Sequence, residues 1–289
     1  MSHRHLRPVR SVPPARRAVA LVATLVVGGL ALAACSGPAP EPSRSTAATA
    51  TSGPTATPTP TPAPTDSAAP EAPTTPAPTT PPAVPAFDKG ALSIDDPASP
   101  WVVSDKLRPL RPADWAPTDL VTMDVAAQNP PVLRREAADA VVAMFAAGEA
   151  EGAGAFQVQS AYRSYATQVT VYDGWVAQLG QEAADATSAR PGTSEHQTGL
   201  ALDISPVPLS CALQACFGET PQGRWLAENS WRFGFVLRYP QGATPITGYE
   251  YEPWHFRYVG VPLATELHST GTATLEEFFG LPPAPDYAG

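Results

Sequence analysis

From residue 36 to residue 86 the chain is built almost wholly from Pro, Thr, Ala and Ser, and ATPTPTPAPT is typical of it. This tract limits how much of the chain can join a globule. With so little apolar bulk it cannot bury enough surface to offset the entropy of ordering it. Proline at this density favours extended polyproline II, rising about 3.1 Å per residue, so fifty such residues reach on the order of 150 Å. The tract is read as a disordered linker. Its threonines can carry sugars, although nothing in the sequence requires it. No solenoid repeat accompanies it, only low complexity.

Upstream, Arg4, Arg7, Arg10, Arg16 and Arg17 precede the run AVALVATLVVGGLALAA. A basic segment, a short apolar stretch and small residues before a cut describe a secretory signal. The stretch is marginal for a spanning helix, which needs about 20 apolar residues. It ends in LAAC, residues 32–35, which resembles a bacterial lipobox. In such signals the cysteine becomes the lipidated N-terminus, so Cys35 is the expected anchor. The bland reading is a plain secreted protein with an incidental cysteine. Two or more acyl chains suffice for stable anchoring. The expected organisation is a lipoprotein signal peptide over 1–34, a lipidated cysteine and linker over 35–86, and one domain over 87–289. That domain would stand at the extracytoplasmic face of a bacterial cell membrane.

Removing the signal takes five arginines and no acid, which moves the formal net charge from −9 to −14. Such an acidic body argues against a nucleic-acid partner. No protein partner is evident, and solubility is the simplest account of the excess acid. About 200 residues remain after Phe87, enough for one domain with a real core.

Within that domain, PVLRREAADAVVAMFAAGEA places Leu133, Val141, Met144 and Phe145 on one helical face. AFQVQSAY alternates apolar and polar side chains, which predicts a strand. Ser164 is a plausible N-cap for a helix with Val169, Tyr172, Val176 and Leu179 on one stripe. RPGTSEHQTG reads as a loop and LALDI as a short strand. TPQGRWLAENS reads as a helix capped by Thr220. RFGFVLRY and YEPWHFRYVG are two further strands separated by the turn-rich PQGATPITG. One last helix is expected over Glu266–Phe279. Tyr162, Trp175, Trp225, Trp231 and Phe235 are expected in the core. Mixed order without a strand–helix rhythm predicts an α+β fold with a mainly antiparallel sheet.

Histidine is scarce. Five occur in the chain, and His3 and His5 lie in the signal. His196 stands near Asp203 and His255 near Glu252; His268 has no such neighbour and reads as an ordinary surface residue. Imidazole nitrogen and carboxylate oxygen both suit Zn²⁺, and a catalytic zinc typically takes three protein ligands plus water. Four residues therefore divide into three ligands and one base. Spacing restricts this reading. Asp203 is seven residues from His196, so on one continuous strand the two would face opposite ways. A bend is required, and Thr198-Gly199 can supply it. Glu252 and His255 are three apart and would also oppose each other on a regular strand, unless Pro253 marks an irregular start.

SAYRSYATQ, RPGTSEHQTGLALDI, GFVLRYP and TGYEYEPWHFRYVG closely resemble the VanY-type D-alanyl-D-alanine carboxypeptidases, zinc peptidases that act on peptidoglycan stem peptides. The resemblance covers roughly residues 100–265. The pattern S-x-H-x-x-G-x-A-x-D followed by E-P-W-H is specific. It implies a fold like that of the D-Ala-D-Ala metallopeptidases and the hedgehog signalling domain. Carried over by position, it makes His196, Asp203 and His255 the ligands of one zinc ion and Glu252 the catalytic base. It makes Arg163 a catalytic or substrate-binding cation, aimed at the terminal carboxylate or at the scissile carbonyl. Gln168 and Ser194 match positions lining the family's site. Ala161 stands where relatives often have Gly. LSCALQACF looks like a variable insertion.

Beside the resemblance, Trp254 flanks His255 and can wall the cleft, while Gln168 reads equally well as solvent-facing. Cys211 and Cys216, outside the cytoplasm, predict a disulfide closing a small loop. The expected activity is a membrane-tethered D-alanyl-D-alanine carboxypeptidase. The alternatives are an L,D-carboxypeptidase on tetrapeptide stems and a non-catalytic peptidoglycan-binding lipoprotein.

Overall fold

The structure, a computed structural model, describes residues 86–288. The expected signal, Cys35 and the linker up to residue 85 lie outside the described residues. Among the described residues no helix is long and apolar enough to cross a membrane.

Strands β1 (Leu120–Thr122) and β2 (Val132–Arg134) form a small antiparallel pair. Helix α1 (Arg135–Ala150) follows at once and buries Ala137, Ala138, Val141, Met144 and Phe145. The expected helix thus starts four residues late, and Leu133 reaches the core from β2. Strand β3 (Phe156–Ser160) leads to α2 (Tyr165–Leu179), capped by Ser164, whose Oγ accepts the Thr167 N–H at 3.2 Å. Helix α3 (Gln181–Thr187) was not legible in the sequence.

A four-stranded antiparallel sheet is the frame of the molecule. Its order is β3, β4 (Ala201–Pro206), β6 (His255–Tyr258), β5 (Phe235–Leu237). The expected α+β architecture with a mainly antiparallel sheet is what the chain forms. Helix α4 (Pro221–Asn229) has the expected cap, with Thr220 Oγ1 accepting the Gly223 N–H at 3.0 Å. Helix α5 (Thr244–Thr247) is a single turn inside the turn-rich connection.

Several expectations need correction. RFGFVLRY is a strand only over Phe235–Leu237, because Gly234 at φ 83° ends a 3₁₀ turn over Ser230–Phe233. The last helix is two, α6 (Val261–Thr270) and α7 (Leu275–Phe279), parted at Gly271 with φ 67°. The apolar stripe of α2 is buried only at Tyr172: Val169 and Val176 are half-buried and Leu179 is 47% exposed, while the polar Gln168 is buried. Of the expected core aromatics, Trp225 and Phe235 are buried and Tyr162, Trp175 and Trp231 only half-buried. Trp231 instead stacks on His268, centroids 4.2 Å apart.

The main core lies between α1, the sheet and α4. Phe145 stacks on Phe156 at 5.1 Å, and Trp225 packs on Phe156 in a tilted arrangement at 5.9 Å. A second cluster joins Trp101, Val103 and Val259 to α6 and α7. Cys211 and Cys216 are disulfide-bonded, as expected.

Candidate metal centre

The register of the sheet builds the site. Asp203 on β4 is the cross-strand partner of His255 on β6, and Ser160 on β3 is opposite Asp203 on its other side. Side chains directly opposite on one face lie close enough to interact. His196 comes from outside the sheet, on a 3₁₀ turn over Glu195–Thr198 that enters β4 through Gly199. Gly199 adopts φ 68°, and an added Cβ would come within 3.0 Å of Leu120 and 3.1 Å of Arg134. This is the bend that the seven-residue spacing demands. Glu252 is placed by a second local turn, in which the His255 N–H donates to the Glu252 carbonyl at 3.1 Å. That turn brings both side chains to one side, with Glu252 Oε2 3.9 Å from His255 Nδ1.

His196, Asp203 and His255 each offer a ligand atom within 4.8 Å of the others, and all three are buried. His196 Nε2 is 3.3 Å from Asp203 Oδ2, and His255 Nδ1 is 3.0 Å from Asp203 Oδ1. Zinc–ligand bonds of about 2.0–2.1 Å in a tetrahedron set neighbouring ligand atoms roughly 3.4 Å apart. Two imidazoles and a carboxylate at such spacing fit Zn²⁺.

The outer contacts fix which nitrogen faces inward. His196 Nδ1–H donates to the Ala161 carbonyl at 2.7 Å, leaving Nε2 free for the centre. His255 Nε2–H donates to Glu195 Oε2 at 3.4 Å, leaving Nδ1. Metal-ligating histidines are usually oriented this way. Burial holds His196 below its ordinary pKa despite Asp203, which favours the neutral ligand form. Burial alone would push Asp203 up, but His196 and His255 hold it well below the carboxylate range. His255 is desolvated too, yet its bonds to Asp203 and Glu195 carry it to about 9. Burial pushes Glu252 to about 8 against the pull of His255.

Glu195 escaped the sequence reading. It is fully buried, and Oε1 accepts from Arg238 Nε at 2.8 Å and from Arg257 Nη1 at 3.0 Å. Arg238 also grips Glu276 of α7 through two bonds, the longer 2.9 Å. Two acids and two arginines thus neutralise one another behind His255. Burial raises the Glu195 carboxyl, but Arg238 and Arg257 hold it well below the usual range. The signal for Arg257 was present: it stands two residues after His255 on β6, on the same strand face. The ring facing His255 is that of Tyr239, at 4.9 Å, which was also not anticipated.

Arg163 is at the site. Its backbone N–H donates to the His196 carbonyl at 3.1 Å, and its Nη2 donates to Ser160 Oγ at 3.1 Å. Burial lowers its pKa, while Asp203 and Glu252 raise it. Gln168 is not solvent-facing: fully buried, it accepts from Arg163 Nη1 on Oε1 at 2.8 Å. Ser194 is buried at the start of the 3₁₀ turn, where its side chain makes no capping bond. Trp254 is half-buried and packs against the main core, and its carbonyl accepts the Ile204 N–H at 3.0 Å.

Comparison with known proteins agrees with this geometry. Residues 131–261 match the family profile VanY, D-alanyl-D-alanine carboxypeptidase. A Bacillus subtilis (strain 168) protein named as a carboxypeptidase, YodJ, is 40% identical over 66% of this chain and 70% of its own length. The solved structure of the LD-carboxypeptidase LdcB superposes with a TM-score of 0.59 at 40% identity, covering 64% of this chain and 87% of that one. A D,D-pentapeptidase VanY from a VanB-type resistance cassette, solved with Zn(II), gives 0.53 at 33% identity, covering 63% and 98%. Identity at this level over this length places the chain in the VanY D-alanyl-D-alanine carboxypeptidase family of zinc metallopeptidases, and it is a hydrolase.

Proposed function

We propose that the protein is a one-zinc carboxypeptidase that releases the terminal D-alanine of peptidoglycan stem peptides, cutting the D-alanyl-D-alanine bond of the pentapeptide. The observation that carries this reading is the gathering of His196, Asp203 and His255 with Glu252 3.9 Å from His255.

His196, Asp203 and His255 would hold the ion. When bound, zinc lowers the pKa of a water ligand toward 7 and polarises a carbonyl. Glu252 takes the proton of the attacking water and delivers it to the amine of the departing D-alanine as the C–N bond breaks. Arg163 receives the free terminal carboxylate in a charge-assisted pair. Gln168 fixes the guanidinium, and Ser194, a neighbour of His196 in sequence, is assigned to the substrate cleft, whereas Trp254, packed against the main core, supports the strand that carries His255.

A second reading has its own support: LdcB, an LD-carboxypeptidase, shares more identity with the chain than the D,D-pentapeptidase does. Pentapeptide and tetrapeptide stems, incubated with the full chain and analysed by mass, separate the two. Loss of one alanine from the pentapeptide alone supports D,D cleavage, and loss from the tetrapeptide alone supports L,D cleavage. Cleavage of neither by zinc-loaded protein would overturn the proposal.

We further propose tethering through lipidated Cys35 at the extracytoplasmic face, supported by the basic-apolar leader and LAAC. Fractionation tests it: Cys35→Ser should move the protein from membrane to soluble fraction, and unchanged partitioning would refute the anchor.

A further inference from the structure

The matched family region ends at residue 261, yet the segment after α7 returns to the wall of the site. Its backbone is pinned by the Ala284 N–H donating to the Ile246 carbonyl at 2.7 Å. The buried Lys106 ammonium donates to the carbonyls of Gly248 at 2.6 Å and Pro285 at 3.3 Å. These contacts deliver Tyr287 to the loop before His196. There its Oη accepts the backbone N–H of Arg190 at 2.7 Å, and the Arg190 guanidinium stacks over its ring at 4.1 Å.

The same peptide group faces the other way as well. The Ala189 carbonyl, joined to the Arg190 N–H in one amide plane, accepts from Gln168 Nε2 at 2.6 Å. Gln168 Oε1 accepts from Arg163 Nη1 at 2.8 Å. The bonds run in one sense: Arg163 to the Gln168 amide, to the Ala189–Arg190 peptide, to the Tyr287 hydroxyl. Amides in series polarise one another, so each bond strengthens the next. The hydroxyl's own proton has acceptors in Thr193 Oγ1 and Tyr249 Oη, both 3.3 Å away.

We propose that Tyr287 is a positioning residue for substrate binding, holding Arg163 in its carboxylate-receiving orientation through the Ala189–Arg190 peptide and Gln168. The inference rests on the reading of Arg163 as the substrate cation. Tyr287 itself touches no reacting atom. Removing its hydroxyl leaves the ring on Arg190 and the metal ligands untouched, so substrate capture should weaken while turnover persists.

The test is Tyr287→Phe in the full chain, with a stem peptide ending in D-alanine. KM should rise about 5–10-fold, the range of one lost hydrogen bond, with kcat within roughly twofold and zinc content unchanged. Gln168→Leu should raise KM too, and adding Tyr287→Phe to it should change KM by less than about twofold, because the relay is already cut. A readout without substrate accompanies this: side-chain nitrogen–proton spectra should show the Gln168 amide and Arg163 Nε–H shifting and exchanging faster with solvent in Tyr287→Phe. If wild type releases no D-alanine, the reading of function fails and the spectra alone judge the relay. Unmoved Arg163 and Gln168 signals, an unchanged KM in active enzyme, or full additivity of the two substitutions would each overturn the proposal. So would a parallel fall in zinc content and kcat, the mark of a merely structural role.

Discussion

Replacing Glu195 with glutamine removes one negative charge and almost no volume. In the native site that charge faces Arg238 at 2.8 Å and Arg257 at 3.0 Å, and all three side chains are at most 1% exposed. Without it Arg238 keeps Glu276, but Arg257 keeps only backbone carbonyls among the described residues, and its buried positive charge is left uncompensated. Breaking a buried pair from one side costs about 3–5 kcal/mol, and that is the loss of unfolding free energy expected for Glu195→Gln. A second effect reaches the metal. His255 Nε2–H loses its carboxylate acceptor, and loss of such an outer partner weakens metal binding by roughly 10–100-fold. The assay is urea unfolding with and without zinc, paired with chelator competition for affinity. Glu151→Gln is the control, because its pair with Arg232 is equally short at 2.8 Å but more than a third exposed on both sides. That variant should leave stability and zinc affinity nearly unchanged. A Glu195→Gln protein that unfolds with the wild type and binds zinc equally well would refute the reasoning that the cluster supports His255.

Glu252→Gln should keep zinc and lose turnover by about 10²–10⁴-fold, as expected for removal of a general base; full activity by D-alanine release would contradict its role. Metal-free protein should lose stability as pH rises from about 4.5 to 8, because folded Glu252 keeps a proton that the unfolded chain has released. His255 acts in the same sense from about 6.5 to 9, its charged form being favoured in the fold. Taken separately the two windows are worth about 5 and about 3 kcal/mol, and their sum, roughly 8 kcal/mol, is the upper limit because the two groups interact; urea midpoints between pH 5 and 9 in chelator read it, a midpoint rising with pH would exclude it, and Glu252→Gln should flatten the first part. Phe156→Ala, between Phe145 and Trp225, should cost about 3–5 kcal/mol, checked by the same unfolding; a loss under about 1 kcal/mol would mean the core repacks around it.

The sequence exposed the residues whose chemistry is rare. With three histidines left after the signal, their pairing with Asp203 and Glu252 was visible, and Gly199 was readable as the bend because only a left-handed residue joins a turn to β4 there. Caps at Ser164 and Thr220 were equally local and equally readable. What escaped depends on long-range pairing. Glu195 looks like any acid in a loop until Arg238, 43 residues on, folds against it. Gln168 was not readable as buried because its amide is satisfied by partners distant in sequence, Ala189 among them, while Leu179 is exposed as the last residue of α2. Tyr287 lies 97 residues from the peptide it braces, with no periodic signal linking them.

The account turns on one point in space shared by His196, Asp203 and His255. Anomalous diffraction from a zinc-soaked crystal tests it most directly. A single strong peak should lie between His196 Nε2, the Asp203 carboxylate and His255 Nδ1, with Glu252 outside the bonding distance. Zinc found elsewhere on the chain with that point empty, or bound there by Glu252 in place of Asp203, would contradict it.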